Sequence, residues 1–174
     1  SQLPDLPVTY VGHRGDLVEA TVWSGFADQW PGDRAVLIGP VGIEELPGRC
    51  PAPAPGELGP FVAEPHAAAI RAGSLSAIDE SLHAVSEGIA YLTADEPVAS
   101  PWLTWFAVKE VLPLHVKALR SWVRKHHVGT VEIKKRGVEV DPVIWRRKLK
   151  PSGPNCGTFI CTPTTGSAKA LVCD

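Results

Sequence analysis

The sequence predicts an α+β protein with a small unit over residues 1–100 and a βαβαββ sandwich over residues 101–174. Three observations support this prediction. Short runs of β-branched and aromatic residues dominate the first part, strand and helix patterns alternate in the second, and the net charge changes sign between them. The 174 residues are enough for two compact domains of less than average size.

The N-terminal part begins with a predicted hairpin. Residues 8–11 and 17–23 are rich in residues that favour strands, and the turn-like segment GHRGD separates them. Residues 34–38 would add a third strand. Residues 41–60 contain five prolines and four glycines, so we expect them to form a loop or linker.

The middle of the chain carries two helix signals and one strand signal. In EPHAAAIRAG, Pro65 lies near the predicted helix start and Gly73 lies just past its end, an asymmetry typical of helices. Residues 77–85 predict a second short helix. Residues 89–93 predict a strand, which the acidic and proline residues after it would end.

The C-terminal part opens with the apolar segment LTWFAVKEVL, a predicted strand over residues 103–112 that ends at Pro113. Residues 114–127 then predict a helix with two stripes. The apolar stripe has i, i+3 and i+7 spacing and consists of Val116, Leu119 and Val123. The cationic stripe has the same spacing and consists of Lys117, Arg120 and Arg124.

The remaining elements complete the predicted sandwich. Residues 130–135 alternate between apolar and charged side chains, the pattern of a half-buried strand. Asp141 and Pro142 then give the start signal of a helix that would bury Trp145 and Leu149. Residues 158–163 and 169–173 are the predicted closing strands.

Charge is the most informative feature of the composition. Residues 1–100 contain 4 Lys and Arg against 14 Asp and Glu, a net charge of −10, whereas residues 101–174 contain 13 against 5, a net charge of +8. A basic module of this kind favours a polyanionic partner, although the two parts could also neutralise each other by docking. The candidate nucleic-acid-binding residues are the clustered cations Arg124, Lys125, Lys134, Lys135, Arg136, Arg146, Arg147, Lys148 and Lys150.

Catalytic and cofactor motifs are missing from the sequence. It contains no GxGxxG, GxxxxGK[ST], GxSxG or HExxH pattern, so we assign no catalytic and no cofactor-binding residue. The four cysteines have no CxxC spacing, and we expect no metal site and reduced thiols. The chain has no methionine, no run of about 18 apolar residues and no signal-like start, so we expect a cytoplasmic protein that has been processed or is part of a longer one.

Several motifs resemble a known family. Residues 128–155, VGTVEIKKRGVEVDPVIWRRKLKPSGPN, resemble the THUMP-like C-terminal domain of a group of bacterial, notably actinobacterial, class I S-adenosylmethionine-dependent methyltransferases. The specific motifs are EIKKRG at 132–137 and VDP at 140–142. Upstream, HRGDLVEATVW, EPHAAAIRAG, IAYLTADEP and FAVKEVLP resemble the region that precedes that domain.

The resemblance implies a THUMP-like or ferredoxin-like sandwich at the C-terminus and a non-catalytic part in substrate recognition. RNA and a missing methyltransferase domain are the implied partners, and S-adenosylmethionine is the implied cofactor of the parent protein but not of this chain. Whether the chain is itself an enzyme stays open, although we expect no catalysis by this part alone. The alternative is a scaffold module that docks on the methyltransferase domain and binds no nucleic acid.

Overall fold

The computed structural model describes residues 6–25, 32–40 and 42–174. Their contacts group into two compact units, and each unit combines several stretches of chain. The first contains the described residues up to Ala54 together with Ala63–Leu82 and Val98–Thr104, and the second contains Pro55–Val62, His83–Pro97 and Trp105–Asp174. The α+β fold class is confirmed, and a domain boundary near residue 100 stays a prediction.

The first unit is built on a four-stranded sheet with the order β2-β1-β3-β4. The strands are β1 (Val8–His13), β2 (Asp16–Val22), β3 (Arg34–Gly39) and β4 (Gly42–Pro47). The predicted hairpin is confirmed: β1 and β2 are antiparallel, and Arg14 and Gly15 make the turn with positive φ angles of 50° and 96°. The predicted third strand is also confirmed, and β3 runs parallel to β1.

Helix α1 (Ala67–Ala72) covers one face of this sheet. Its alanines Ala68, Ala69 and Ala72 are buried against Ala35 and Leu37 of β3. Gly73 ends the helix in the left-handed conformation, as its sequence position predicts. Short side chains at this contact allow the helix to lie close to the strands.

His66 caps the N-terminus of α1 and is almost fully buried. Its Nδ1 accepts a hydrogen bond of 3.1 Å from the backbone N–H of Ala68, and its ring meets Trp102 edge-on. Gly12 of β1 makes room for the ring, because a Cβ at Gly12 would lie 2.2 Å from the imidazole Cε1. Burial lowers the pKa of His66, and nearby Asp16 opposes this shift more weakly.

Two predictions for this part of the chain are wrong. The stretch predicted as a loop over residues 41–60 contains strand β4, because Leu46 packs against the core and an edge strand tolerates Pro47 at its end. The helix predicted over residues 77–85 does not form. Residues Leu75–Ala77 make one 3₁₀ turn, and the chain then continues through turns into β6 (His83–Ala84).

A seven-stranded sheet, most of whose strands lie wholly in the second unit, has the order β6-β7-β5-β8-β11-β10-β9. Its other strands are β5 (Phe61–Pro65), β7 (Leu92–Ala94), β8 (Leu103–Pro113), β9 (Val128–Lys135), β10 (Asn155–Pro163) and β11 (Ala168–Cys173). Helices α2 (Val116–Lys125) and α3 (Pro142–Leu149) connect β8 to β9 and β9 to β10. The predicted βαβαββ order is therefore confirmed from β8 onward.

Both faces of this sheet are buried along its central strands. On one face, Val131 and Ile133 of β9 pack with Phe159 of β10 against Leu119 of α2 and Leu149 of α3. On the other face, Ile160, Leu171 and Cys173 pack with residues that include Tyr91 and Phe106. The face of β9 opposite Val131 and Ile133 carries Glu132 and Lys134, of which Glu132 is exposed.

We predict that His66 makes the first unit sensitive to acid. Its neutral form is favoured in the folded state, so only the unfolded chain takes up this proton as the pH falls through about 6.5. The free energy of unfolding should then decrease by up to about 1.4 kcal/mol per pH unit below that point. In His66→Asn, which keeps a capping acceptor, denaturation at several pH values should show a flatter dependence. An unchanged dependence in this variant would exclude His66 as the cause.

Candidate nucleic-acid interface

Helix α2 presents a continuous cationic face. Because apolar residues recur at i, i+3 and i+7, the helix buries Leu119 and Val123 against the sheet. The opposite face is exposed and carries Lys117, Arg120, Ser121, Arg124 and Lys125. Two of these cations lie in the last turn, where the partial negative charge of the helix C-terminus favours them.

Contacts at both ends fix the orientation of α2. His115 caps its start, and the side-chain Nδ1 accepts a hydrogen bond of 3.1 Å from the N–H of Ala118. At its end, Trp122 stacks on His126 with 4.2 Å between ring centroids and donates a 2.9 Å hydrogen bond from Nε1 to Glu110. The backbone of His126 closes the helix, and its carbonyl accepts a hydrogen bond from the Asn155 side chain.

Helix α3 begins as its sequence predicts. The Asp141 carboxylate accepts hydrogen bonds of 2.8 and 2.9 Å from the N–H groups of Val143 and Ile144, and Pro142 occupies the first turn. The helix ends at Lys150, which adopts the left-handed conformation with φ 51° and ψ 57°. This turn places Lys150 beside α2 rather than on the continuation of α3.

The two helices border a cationic cleft of about 320 Å³. It is lined by Arg120, Val123, Arg124, Lys150 and Ser152. A shallower groove adjoins it along α2, lined by Val116, Lys117, Arg120, Ser121, Arg124 and Lys125. We call the two together the α2 surface.

Within the described residues, the cations of the α2 surface have no protein partners. Among the residues that the structure describes, no ion pair or hydrogen bond involves the side chains of Lys117, Arg120, Arg124, Lys125 or Lys150. Five positive charges therefore share one surface without neutralisation from within the described chain. Such an arrangement creates a positive potential that attracts anions.

Lys134 of β9 and Arg136, which follows this strand, lie on the face of the sheet opposite the helices. Lys134 lies over the ring of Phe106 at 5.4 Å and forms an ion pair of 3.6 Å with Glu132, and Arg136 lies over Tyr91 at 5.1 Å. These rings belong to the core on the sheet face opposite the helices. Because side chains alternate along a strand, Lys134 is on the other face from Val131 and Ile133. The candidate cations are thus divided between two faces of the sheet.

Arg146 contacts the protein rather than solvent alone. Its Nε donates a 2.9 Å hydrogen bond to the backbone carbonyl of Val131, on β9 at the edge of the sheet. This contact satisfies an edge acceptor and ties α3 to β9. Lys135 is exposed beside the segment from Val138 to Pro142, and Arg147 and Lys148 are exposed on α3.

Of the nine predicted residues, the structure brings Arg124, Lys125 and Lys150 together on the α2 surface. It adds Lys117 and Arg120, which the list of candidate residues leaves out. Their i, i+3, i+7 spacing with Arg124 was the signal in the sequence. The runs KKR and RRKLK are denser in charge, but density along the chain does not tell which side chains share a face.

Other kinds of site find little support in the described residues. No group of three or more His, Cys, Asp or Glu side chains is placed there to hold a metal ion. All four cysteines are unpaired thiols, and burial raises the pKa of Cys161 and Cys173 to about 12. None of the described helices is long and apolar enough to cross a membrane.

A site for S-adenosylmethionine does not fit the residues present. Such a site asks for a glycine-rich turn between a strand and a helix, where the backbone can approach the cofactor. Gly12 and Gly15 lie in the β1–β2 hairpin, and Gly39 and Gly42 face each other where β3 pairs with β4. Neither glycine pair leads into a helix, so we derive no cofactor chemistry from the described chain.

The part of the chain that carries the α2 surface matches a known family. The family described as THUMP domain-like matches residues 103–174, which include β8, both helices and the closing strands. Residues 103–174 are therefore similar to THUMP-like domains. The α2 surface lies entirely within the matched residues.

Relatives of the chain carry methyltransferase names. This chain is 30% identical over 152 residues to an uncharacterized S-adenosylmethionine-dependent methyltransferase of Mycobacterium tuberculosis strain CDC 1551. It has the same identity to one of strain H37Rv. The match covers 84% of this chain and 41% of each relative. The resemblance seen in the sequence motifs is confirmed, and the chain spans less than half the length of these relatives.

The fold also has a counterpart among solved structures. The crystal structure of a proposed methyltransferase from Porphyromonas gingivalis W83 superposes with a TM-score of 0.72. The match covers 97% of this chain and 45% of that protein, at 17% sequence identity. It supports the fold of each of the two units as described.

We predict that Arg136 stabilises the domain. Arg136→Gln removes the cation over Tyr91 and should lower the free energy of unfolding by about 1 kcal/mol. Arg147→Gln, an exposed control on α3, should change it by less than about 0.5 kcal/mol. Urea denaturation of the two variants measures the difference, and equal values would contradict a structural role for Arg136.

Proposed function

We propose that this chain is the RNA-binding, substrate-recognition part of an S-adenosylmethionine-dependent methyltransferase. In this proposal the THUMP-like domain binds RNA, and a methyltransferase domain outside the matched region binds the methyl donor and carries out catalysis. The chain itself contributes no catalytic residue. The observation that carries the proposal is the α2 surface, with five cations that have no partner within the described residues.

Phosphate groups are the anions that suit this surface best. Each phosphate of a nucleic acid that meets Lys or Arg releases condensed counterions, so several cations on one face give substantial affinity. Arg120 and Arg124 can each donate two parallel hydrogen bonds to one phosphate, and Lys150 adds a compact charge in the same cleft. Ser121 and Ser152 supply hydroxyl donors of the kind often found at phosphate contacts.

The predicted residues take different parts in this proposal. Arg124, Lys125 and Lys150 contact RNA at the centre of the interface, together with Lys117 and Arg120. Lys135, Arg147 and Lys148 are exposed and contribute at its periphery. Lys134, Arg136 and Arg146 act mainly through their contacts with Phe106, Tyr91 and the edge of β9.

The methyltransferase context comes from the relatives. Their names state dependence on S-adenosylmethionine, and more than half of their length lies outside the match. The described residues of this chain offer no glycine-rich strand-to-helix turn, so we assign the cofactor and the reaction to a separate domain. Location in the cytoplasm stays a prediction.

We predict that the double variant Arg120→Gln, Arg124→Gln binds RNA more weakly. Glutamine keeps good helix propensity but removes both charges, so α2 should stay folded. Affinity for an RNA hairpin, measured by fluorescence anisotropy at several KCl concentrations, should fall at least tenfold. The slope of log affinity against log salt should decrease by about 2, close to one for each lost phosphate contact.

Arg71→Gln is the matched control, because Arg71 is an exposed arginine in the last turn of α1, in the other unit. It should leave both affinity and salt slope unchanged. If the wild-type chain shows no salt-dependent RNA binding, the proposed function is wrong. If the double variant instead loses thermal stability and RNA affinity is undetectable throughout, the docking alternative is favoured.

A further inference from the structure

We infer that the α2 surface recognises a double-helical segment of RNA through its phosphates, independently of base sequence. This inference rests on the proposed function and specifies the kind of RNA. It follows from the side chains that the surface contains, from those it lacks, and from the arrangement of its cations.

The residues that line the surface include no aromatic side chain on which a base could stack. Proteins that bind single-stranded RNA use exposed aromatic side chains, each worth about 1 to 3 kcal/mol per base. Val116, Val123, two serines, two arginines and three lysines line the cleft and its adjoining groove. Stacking on arginine alone would have to replace that contribution.

The Trp, Phe and Tyr side chains near the α2 surface already pack against other parts of the protein. Trp122 packs on Phe159 and His126 and donates its indole N–H to Glu110. Trp145 packs against the core beneath the helices. Phe106 and Tyr91 lie under Lys134 and Arg136 on the opposite face of the sheet. These rings would have to leave their packing before they could stack on a base.

The lining residues also lack the amide and carboxylate groups that read base edges. Specific recognition of bases commonly uses Asn, Gln, Asp or Glu, which pair with the donors and acceptors of particular bases. The lining residues of the α2 surface include none of these four types. Asn155, near the end of α2, donates its amide to the carbonyl of His126.

The arrangement of the cations suits a rigid row of phosphates. Lys117, Arg120 and Arg124 follow one another on one face of α2, with rises of about 4.5 and 6 Å along the helix axis. Lys150 comes from a different element and widens the row at Arg120 and Arg124. A double helix holds its phosphates in a fixed geometry, so a preformed row can meet several of them without ordering a flexible strand.

Binding of the full chain to two labelled RNAs tests this inference. One is a hairpin with a fully paired stem, and the other is an unpaired strand of the same length and base composition. We expect the hairpin to bind at least tenfold more tightly at equal salt. Hairpins with different stem sequences should bind within about threefold of one another, because phosphate contacts carry no sequence information.

Two variants complete the design. Arg120→Gln, Arg124→Gln should remove most of the preference for the hairpin, whereas Arg71→Gln should keep it. Equal or tighter binding of the unpaired strand would overturn the inference but leave the proposed RNA-binding function intact. A strong dependence on stem sequence would likewise overturn it. Absence of binding to both RNAs would overturn the proposed function itself.

Discussion

The arrangement of charge depends on strand β9, an edge strand that buries only one of its faces in the core beneath the helices. Val131 and Ile133 fill the core beneath the helices, so the alternation of the strand turns Lys134 toward Phe106 on the other face. Arg136 lies over the ring of Tyr91, and Arg146 of α3 donates a hydrogen bond to the backbone of β9 at the edge of the sheet. Several cations from the most basic segments of the chain therefore make contacts within the protein.

The charges left for a partner are those that the helices hold away from both cores. Burial of Leu119 and Val123 fixes the rotation of α2, which turns Lys117, Arg120 and Arg124 outward. The left-handed end of α3 then brings Lys150 to the same cleft. In the proposed function, stability and binding thus use different cations of one basic region, and substitutions can separate the two roles.

Much of this fold could be predicted from the sequence, because local signals and tertiary structure agree. Asp141 with Pro142, Gly73 and the hairpin turn at Gly15 all act where the sequence places them. Strand β4 could not be predicted, since pairing with β3 outweighs the local effect of proline and glycine. Nor could the cation contacts of Lys134 and Arg136, because the rings of Phe106 and Tyr91 come from distant parts of the chain.

The most direct measurement is the reactivity of individual lysines with an acylating reagent, with and without a bound RNA hairpin, read by mass spectrometry. RNA should protect Lys117, Lys125 and Lys150, and should leave Lys134 and the exposed Lys109 of β8 unchanged. Protection of Lys134 with unchanged reactivity at Lys117 and Lys150 would contradict the division of cations between packing and binding.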